Sequence, residues 1–120
     1  MLKLEKNIKI FIPATTNNGN SYDLQAEKTA VLDVFGGATV FNTNGLWNDN
    51  GTTYSDNIQV MQLNYSGHDS NRVAPVFELI KAIFEKGEQY AVSIELNSTL
   101  YIIDSTDSKV EYYDLLISEL

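Results

Sequence analysis

The chain predicts an α+β fold: a single antiparallel or mixed sheet of four to six strands with helices mainly on one face, ferredoxin-like with a C-terminal helix. Three observations predict it. Apolar periodicity runs in the order strand, helix, two or three strands, helix, two strands, helix. At 120 residues the chain suits one domain, 1–120, able to bury roughly two thirds of its unfolded surface. No internal repeat and no long linker divides it.

The first strand runs from Asn7 to Pro13, with Ile8, Ile10 and Ile12 on one face and Lys9 and Phe11 on the other. A polar stretch, Thr15 to Asn20, leads to Ser21, a good N-cap, with Asp23 where the helix dipole favours an acid. The helix from Tyr22 to Phe35 carries Leu24, Val31, Leu32 and Phe35 at helical spacing, and Gly36 follows as the expected terminator. Ala38 to Phe41 reads as a short strand. Asn42-Thr43-Asn44-Gly45 and Asp49-Asn50-Gly51 then predict two turns bracketing Leu46 and Trp47.

A central strand spans about Asn57 to Tyr65, apolar on both faces. Val73, Val76, Phe77, Ile80 and Phe84 stripe a helix from about Arg72 to Lys86, with Pro75 tolerated in its first turn and Gly87 ending it. Gln89 to Leu96 alternates, and Asn97-Ser98 turns the chain into a partner strand, Thr99 to Ile103. Ser108-Lys109-Val110-Glu111 matches a capping box, and Val110, Tyr113 and Ile117 place one apolar face on a short last helix.

Composition narrows the chemistry. The chain has no cysteine, one histidine (His68), and sixteen acidic residues against eight basic ones. Catalysis near neutral pH usually recruits histidine, cysteine or a metal, so the expectation is a binding module, not an enzyme, with no cofactor and no metal. Seven carboxylates lie between Glu88 and Leu120 against Lys109 alone. Such a field repels nucleic acid and anionic lipid and speeds encounter with basic protein surfaces. No apolar run approaches the roughly 20 residues of a membrane span, and the N-terminus does not read as a signal peptide.

Several constellations bear on chemistry. Gly36-Gly37 follows a helix, whereas a phosphate cradle precedes one. His68 with Asp69, or with Asp49 and Asp56 at a metal, has no supporting spacing. Asp104 and Asp107 bracket Ser105-Thr106 without the calcium-loop repeat, which favours helix capping. Trp47, a lone tryptophan in an Asn-rich hairpin, is either core cover or an interface anchor. Tyr112, Tyr113, Leu115, Leu116, Ile117 and Leu120 exceed what one narrow stripe buries and alternate with Glu111, Asp114 and Glu119, so this helix either covers the sheet on two sides or meets a partner. Candidate partner-binding residues are therefore Trp47, Asp104, Asp107, Glu111, Tyr112, Tyr113 and Asp114.

The segment Phe35-Gly36-Gly37-Ala38-Thr39-Val40, followed by Gly45-Leu46-Trp47 and Asn50-Gly51, resembles small phage and prophage proteins of unassigned activity with the same Phe-Gly-Gly and Gly-x-Trp order. As a whole, the small acidic chain also looks like the phage-encoded DSR anti-defence proteins, inhibitors of a bacterial defence-associated sirtuin. That resemblance implies a protein of the host cytoplasm that binds this large NAD-depleting defence enzyme and blocks its activation by a phage structural protein, with no catalytic residue carried over. Rival expectations are a sponge for a nucleotide signal in the groove beside Phe35-Gly36-Gly37, poorly matched to phosphate for want of Lys and Arg, and a phage assembly accessory protein.

Overall fold

The computed structural model, which describes residues 1–120, is built on one five-stranded sheet in the order β2-β3-β1-β4-β5. The elements are β1 (Lys6–Pro13), α1 (Gln25–Phe35), β2 (Thr39–Asp49), β3 (Thr52–Tyr65), α2 (Val73–Lys86), β4 (Ala91–Leu96), β5 (Thr99–Asp104) and α3 (Lys109–Glu119). All pairings are antiparallel. β1 to β4 with α1 and α2 make the ferredoxin-like βαββαβ core, extended by β5 and α3, as the sequence predicts.

Alternation decides which sheet face the helices cover. Ile8, Ile10 and Ile12 of β1 are buried and stand beside Leu63, Met61 and Gln59 of β3 and, for Ile8 and Ile10, beside Leu96 and Ile94 of β4. Val31 of α1, Val76, Leu79, Ile80 and Ile83 of α2, and Leu116 of α3 complete the core on this side. The opposite face carries no helix. Its central row runs Phe41, Val60, Phe11, Ser93 and Ile102, and the next pairs Lys9 with Glu95 at 3.9 Å.

Two stretches differ from the sequence reading. Asn42-Thr43-Asn44-Gly45 is not a turn: it pairs in register with Gln59 to Asp56, so β2 and β3 form one long ribbon closed only at Asn50-Gly51, both at positive φ. Eleven continuous cross-strand pairs outweigh the local turn preference of Asn and Gly. β1 accompanies β3 only as far as Ile58, so the half of the ribbon beyond it projects without a third strand. α1 begins at Gln25, not Tyr22; its N-cap is Leu24, without a side-chain cap, and just ahead of it the Asp23 carboxylate accepts from the Gln25 N–H at 2.9 Å, while Ser21 sits in a bridge with Thr15.

Gly36 ends α1 at φ 85°, a left-handed position that favours glycine. Gly87 ends α2 for a different reason. Its φ is ordinary, but a Cβ there would lie 2.4 Å from the Ile83 carbonyl oxygen and 2.8 Å from the Tyr22 ring. Gly87→Ala is expected to cost about 2 kcal/mol, because the clash is with backbone that cannot yield; urea unfolding of the variant checks this.

Tyr22 donates its hydroxyl to the Pro13 carbonyl, and burial pushes its pKa up to about 12 from 10.0. The folded state therefore holds this proton more tightly than the unfolded chain. The stability it contributes is complete below pH 10 and is lost as pH rises through 12. Burial moves Tyr65 and Tyr112 in the same direction. The melting temperature should therefore fall across this alkaline range, and fall less in Tyr22→Phe.

Arg72, not singled out from the sequence, ties the two ends of the helical layer together. It lies over the rings of Phe35 and Tyr65, 5.8 and 5.0 Å from their centroids, and donates to the carbonyls of Ser66, Gly67 and Leu120. The Asp69 N–H also donates to the Leu120 carbonyl, which pins the buried Leu120 against the start of α2.

Candidate functional site

The projecting ribbon is rich in unburied chemistry. Trp47 and Tyr54 are directly opposed in the β2–β3 register, and their rings stack at 4.5 Å between centroids and 20° between planes. Trp47 remains 50% exposed and Tyr54 43%, so each ring keeps a free face. Asp56 sits two residues from Tyr54 on the same face of the strand, and its Oδ2 accepts from Trp47 Nε1 at 3.1 Å.

Gly45 is the residue opposite Asp56, so no side chain fills the space across from the carboxylate. A Cβ at Gly45 would come within 2.6 Å of the Ile58 side chain, which occupies the remaining room. The result is an exposed aromatic pair joined to a carboxylate, with no Lys or Arg among the ribbon residues 39–65. Such a constellation suits a cation, since aromatic faces and carboxylates both attract positive charge.

At the root of the ribbon an open hollow of about 370 Å³ is lined by Ala14, Asn42, Thr43, Asn44, Asn57 and Ile58. Its three amides and one hydroxyl donate and accept hydrogen bonds without charge. Beside Phe35-Gly36-Gly37 a second open hollow, about 440 Å³, is lined by Leu2, Leu4, Thr39, Gln62 and Asn64 among others. No cation lines either, so neither matches phosphate.

The remaining candidate residues lie at the other edge of the sheet, on β5 and α3, four strands away from Trp47 on β2. Trp47 is therefore separate from the C-terminal group. Asp104 Oδ1 accepts from both the backbone N–H and the hydroxyl of Thr106, which hold its carboxyl below the usual range; Asp107 Oδ2 accepts from the Asp104 N–H. These two aspartates fold the turn that starts α3, and Ser108 caps it by accepting from Val110. His68 and Asp69 do not form a pair, because the Asp69 carboxylate accepts from Asn71. No group of three His, Asp or Glu side chains is placed to hold a metal.

On α3 the apolar face differs from the expected one. Tyr112, Leu116 and Leu120 are buried, with Leu115 packed beside them, whereas Val110, Tyr113 and Ile117 point outward, 67, 36 and 53% exposed. Both sets have helical spacing, so the sequence pattern alone does not choose between them. The core takes Tyr112, Leu116 and Leu120 into one buried cluster, while Phe77 of α2 touches both tyrosines, its ring stacked on Tyr112 at 5.3 Å and edge-on to Tyr113 at 5.0 Å. Burial first, then Glu85 and Glu78, raise the Tyr112 pKa. Glu111 and Asp114 are exposed beside the outward stripe. Asp56, the carboxylate of the aromatic pair, was legible only as a possible metal ligand; a Trp, an aromatic and an acid that fall on one face of a paired ribbon would have marked it.

No helix is long and apolar enough to cross a membrane. No protein-family model and no curated protein matches the chain. Among solved structures, the fold is similar to phage SAM lyase in complex with S-methyl-5′-thioadenosine, with a TM-score of 0.60 and 16% identity over 88% of this chain and 94% of that one. The apo state of phage SAM lyase aligns at 0.57, also at 16% identity, over 90 and 98%. CutA from Pyrococcus horikoshii, crystallised in the presence of 3 M guanidine hydrochloride, aligns at 0.37 with 16% identity over 95 and 97%. At such identity the likeness is one of fold, a ferredoxin-like sheet carrying helices on one side.

Proposed function

We propose that this protein binds an adenosyl sulfonium, S-adenosylmethionine or a close analogue, at the β2–β3 ribbon and cleaves it to S-methyl-5′-thioadenosine. The observation that carries this reading is the stacked Trp47–Tyr54 pair with Asp56 at its side, in a chain of net charge −8 whose fold resembles a phage SAM lyase. The ligand fits the chemistry. It is cationic at sulfur and has no phosphate, so the shortage of Lys and Arg that disfavours a nucleotide sponge is no obstacle.

The scarcity of histidine and cysteine also ceases to be an objection. A sulfonium is already an activated leaving group. When the substrate's own carboxylate oxygen closes onto its Cγ, the Cγ–S bond breaks, sulfur keeps the electron pair, and the products are a neutral thioether and a protonated amino-lactone. No acid or base from the protein is needed. Charge at sulfur disappears along this path, so Asp56 holds the ground state and orients it; acceleration comes from positioning the carboxylate against Cγ. The test is direct: incubation of the purified protein with S-adenosylmethionine, followed by chromatography, should show S-methyl-5′-thioadenosine. Absence of product together with absence of binding heat would overturn the reading.

A second reading is favoured by the outward stripe Val110, Tyr113 and Ile117 beside Glu111 and Asp114: a phage anti-defence protein that binds a defence-associated sirtuin in the host cytoplasm and blocks its activation. Such a face matches protein recognition better than solvent. Its test is NAD loss in cells that express the sirtuin, its phage trigger and this protein. NAD retained in those cells supports inhibition, and unchanged loss removes that target.

A further inference from the structure

We infer that the seam between α2 and α3 is a docking groove for a basic amphipathic helix. This deepens the partner-binding reading and rests on it, while remaining independent of sulfonium chemistry. α3 spans about 16 Å at 1.5 Å per residue, and its outward residues Val110, Tyr113 and Ile117 stand at i, i+3 and i+7. Val110 and Ile117 are more than half exposed and Tyr113 is covered on one side only, by Phe77, although the same helix already satisfies the core through Tyr112, Leu116 and Leu120. Phe77 meets Tyr113 edge-on, so the aromatic floor continues from α3 onto α2.

Charge selects the occupant. Glu111 and Asp114 flank the stripe on α3, and Glu78 on α2 acts on Tyr112 from the other side; none of the three is in an ion pair. Lys109 is paired with Glu85 at 3.8 Å, and Lys81 of α2 also lines the seam; three free carboxylates against this one free cation leave the rim with a negative excess. An acidic helix or a second copy presenting this same face would meet like charge. A helix with Leu or Ile at i, i+3 or i+4 and i+7, flanked by Lys or Arg, fills the stripe and pairs with the free carboxylates.

The experiment uses a fluorescein-labelled 16-residue Leu/Lys amphipathic peptide, read by anisotropy against the full chain, with a Leu/Glu peptide of the same pattern as control. Saturable binding is expected for the Lys peptide alone, weaker at higher salt, with amide NMR shifts confined to α2 and α3. Val110→Asp/Ile117→Asp, both exposed, should weaken it at least tenfold while the melting temperature stays as in the parent. Tyr113→Ser should act in the same direction and guards against one variant misfolding. Equal binding by these variants, binding of the Leu/Glu peptide, or shifts on the open sheet face would overturn the groove. So would self-association abolished by the same substitutions. If the peptide binds at the seam while NAD loss is unaffected, the groove stands and the sirtuin is not its target.

Discussion

Leu116→Ala is expected to lower the stability of this protein by about 3–4 kcal/mol, the largest loss from any single truncation considered. Leu116 is fully buried in the middle of α3, with Tyr112 and Leu120 one turn to either side and also in the core. Its N–H···O ladder is unaffected by the change, since Leu120 N–H still reaches the residue 116 carbonyl. What is lost is packing. The neighbouring ring stack of Phe77 on Tyr112 is rigid and cannot collapse into the space, so the cavity persists. Denaturant unfolding should show a lower midpoint at unchanged slope. A loss below about 1 kcal/mol would mean that α3 is peripheral to the fold.

Trp47→Ala is expected to weaken S-adenosylmethionine binding by about 5- to 30-fold, from a cation–π contribution of about 1–2 kcal/mol. The substitution removes three things together: the exposed ring face, the stack on Tyr54, and the Nε1 donor that orients Asp56. Trp47→Phe keeps the ring and loses the donor, and should fall between parent and alanine. Asp56→Asn removes the charge and leaves a hydrogen-bond acceptor for the indole, so it separates charge from geometry. If Asp56 acts on the ground state, its loss should appear in KM more than in kcat. Because Trp47 is half exposed and outside the core, none of these changes should move the melting temperature by more than a degree or two. Calorimetry with equal affinities for the parent and Trp47→Ala would remove the ribbon as the ligand site.

Much of the fold was legible because burial and periodicity agree. Ile8, Ile10 and Ile12 declare one face of β1 by simple alternation, and α2 shows the same agreement at helical spacing. The ribbon was not legible for the opposite reason. Asn42 to Gly45 has the composition of a turn, and only the complementary register of β3 makes it a strand. For α3 the difficulty was an excess of apolar residues: two helical stripes were available, and the choice between Tyr112 and Tyr113 for the interior lies with a core assembled from residues far away in the chain. The site shows both effects. Trp47 stood out as a lone tryptophan, but Tyr54 and Asp56 become its companions only through cross-strand pairing, which a linear pattern does not display.

The far half of the β2–β3 ribbon has a dynamic consequence. Past Ile58 each strand has only the other for support, and a two-stranded hairpin in water is marginal alone. Its amides should therefore exchange with deuterated solvent through local opening, at rates insensitive to global stability, while those of Ile10 and Ile94 wait for complete unfolding. Residues 44–57 are then the segment that a bound ligand has most room to order. Added S-adenosylmethionine should slow exchange there first and leave the buried strands unchanged.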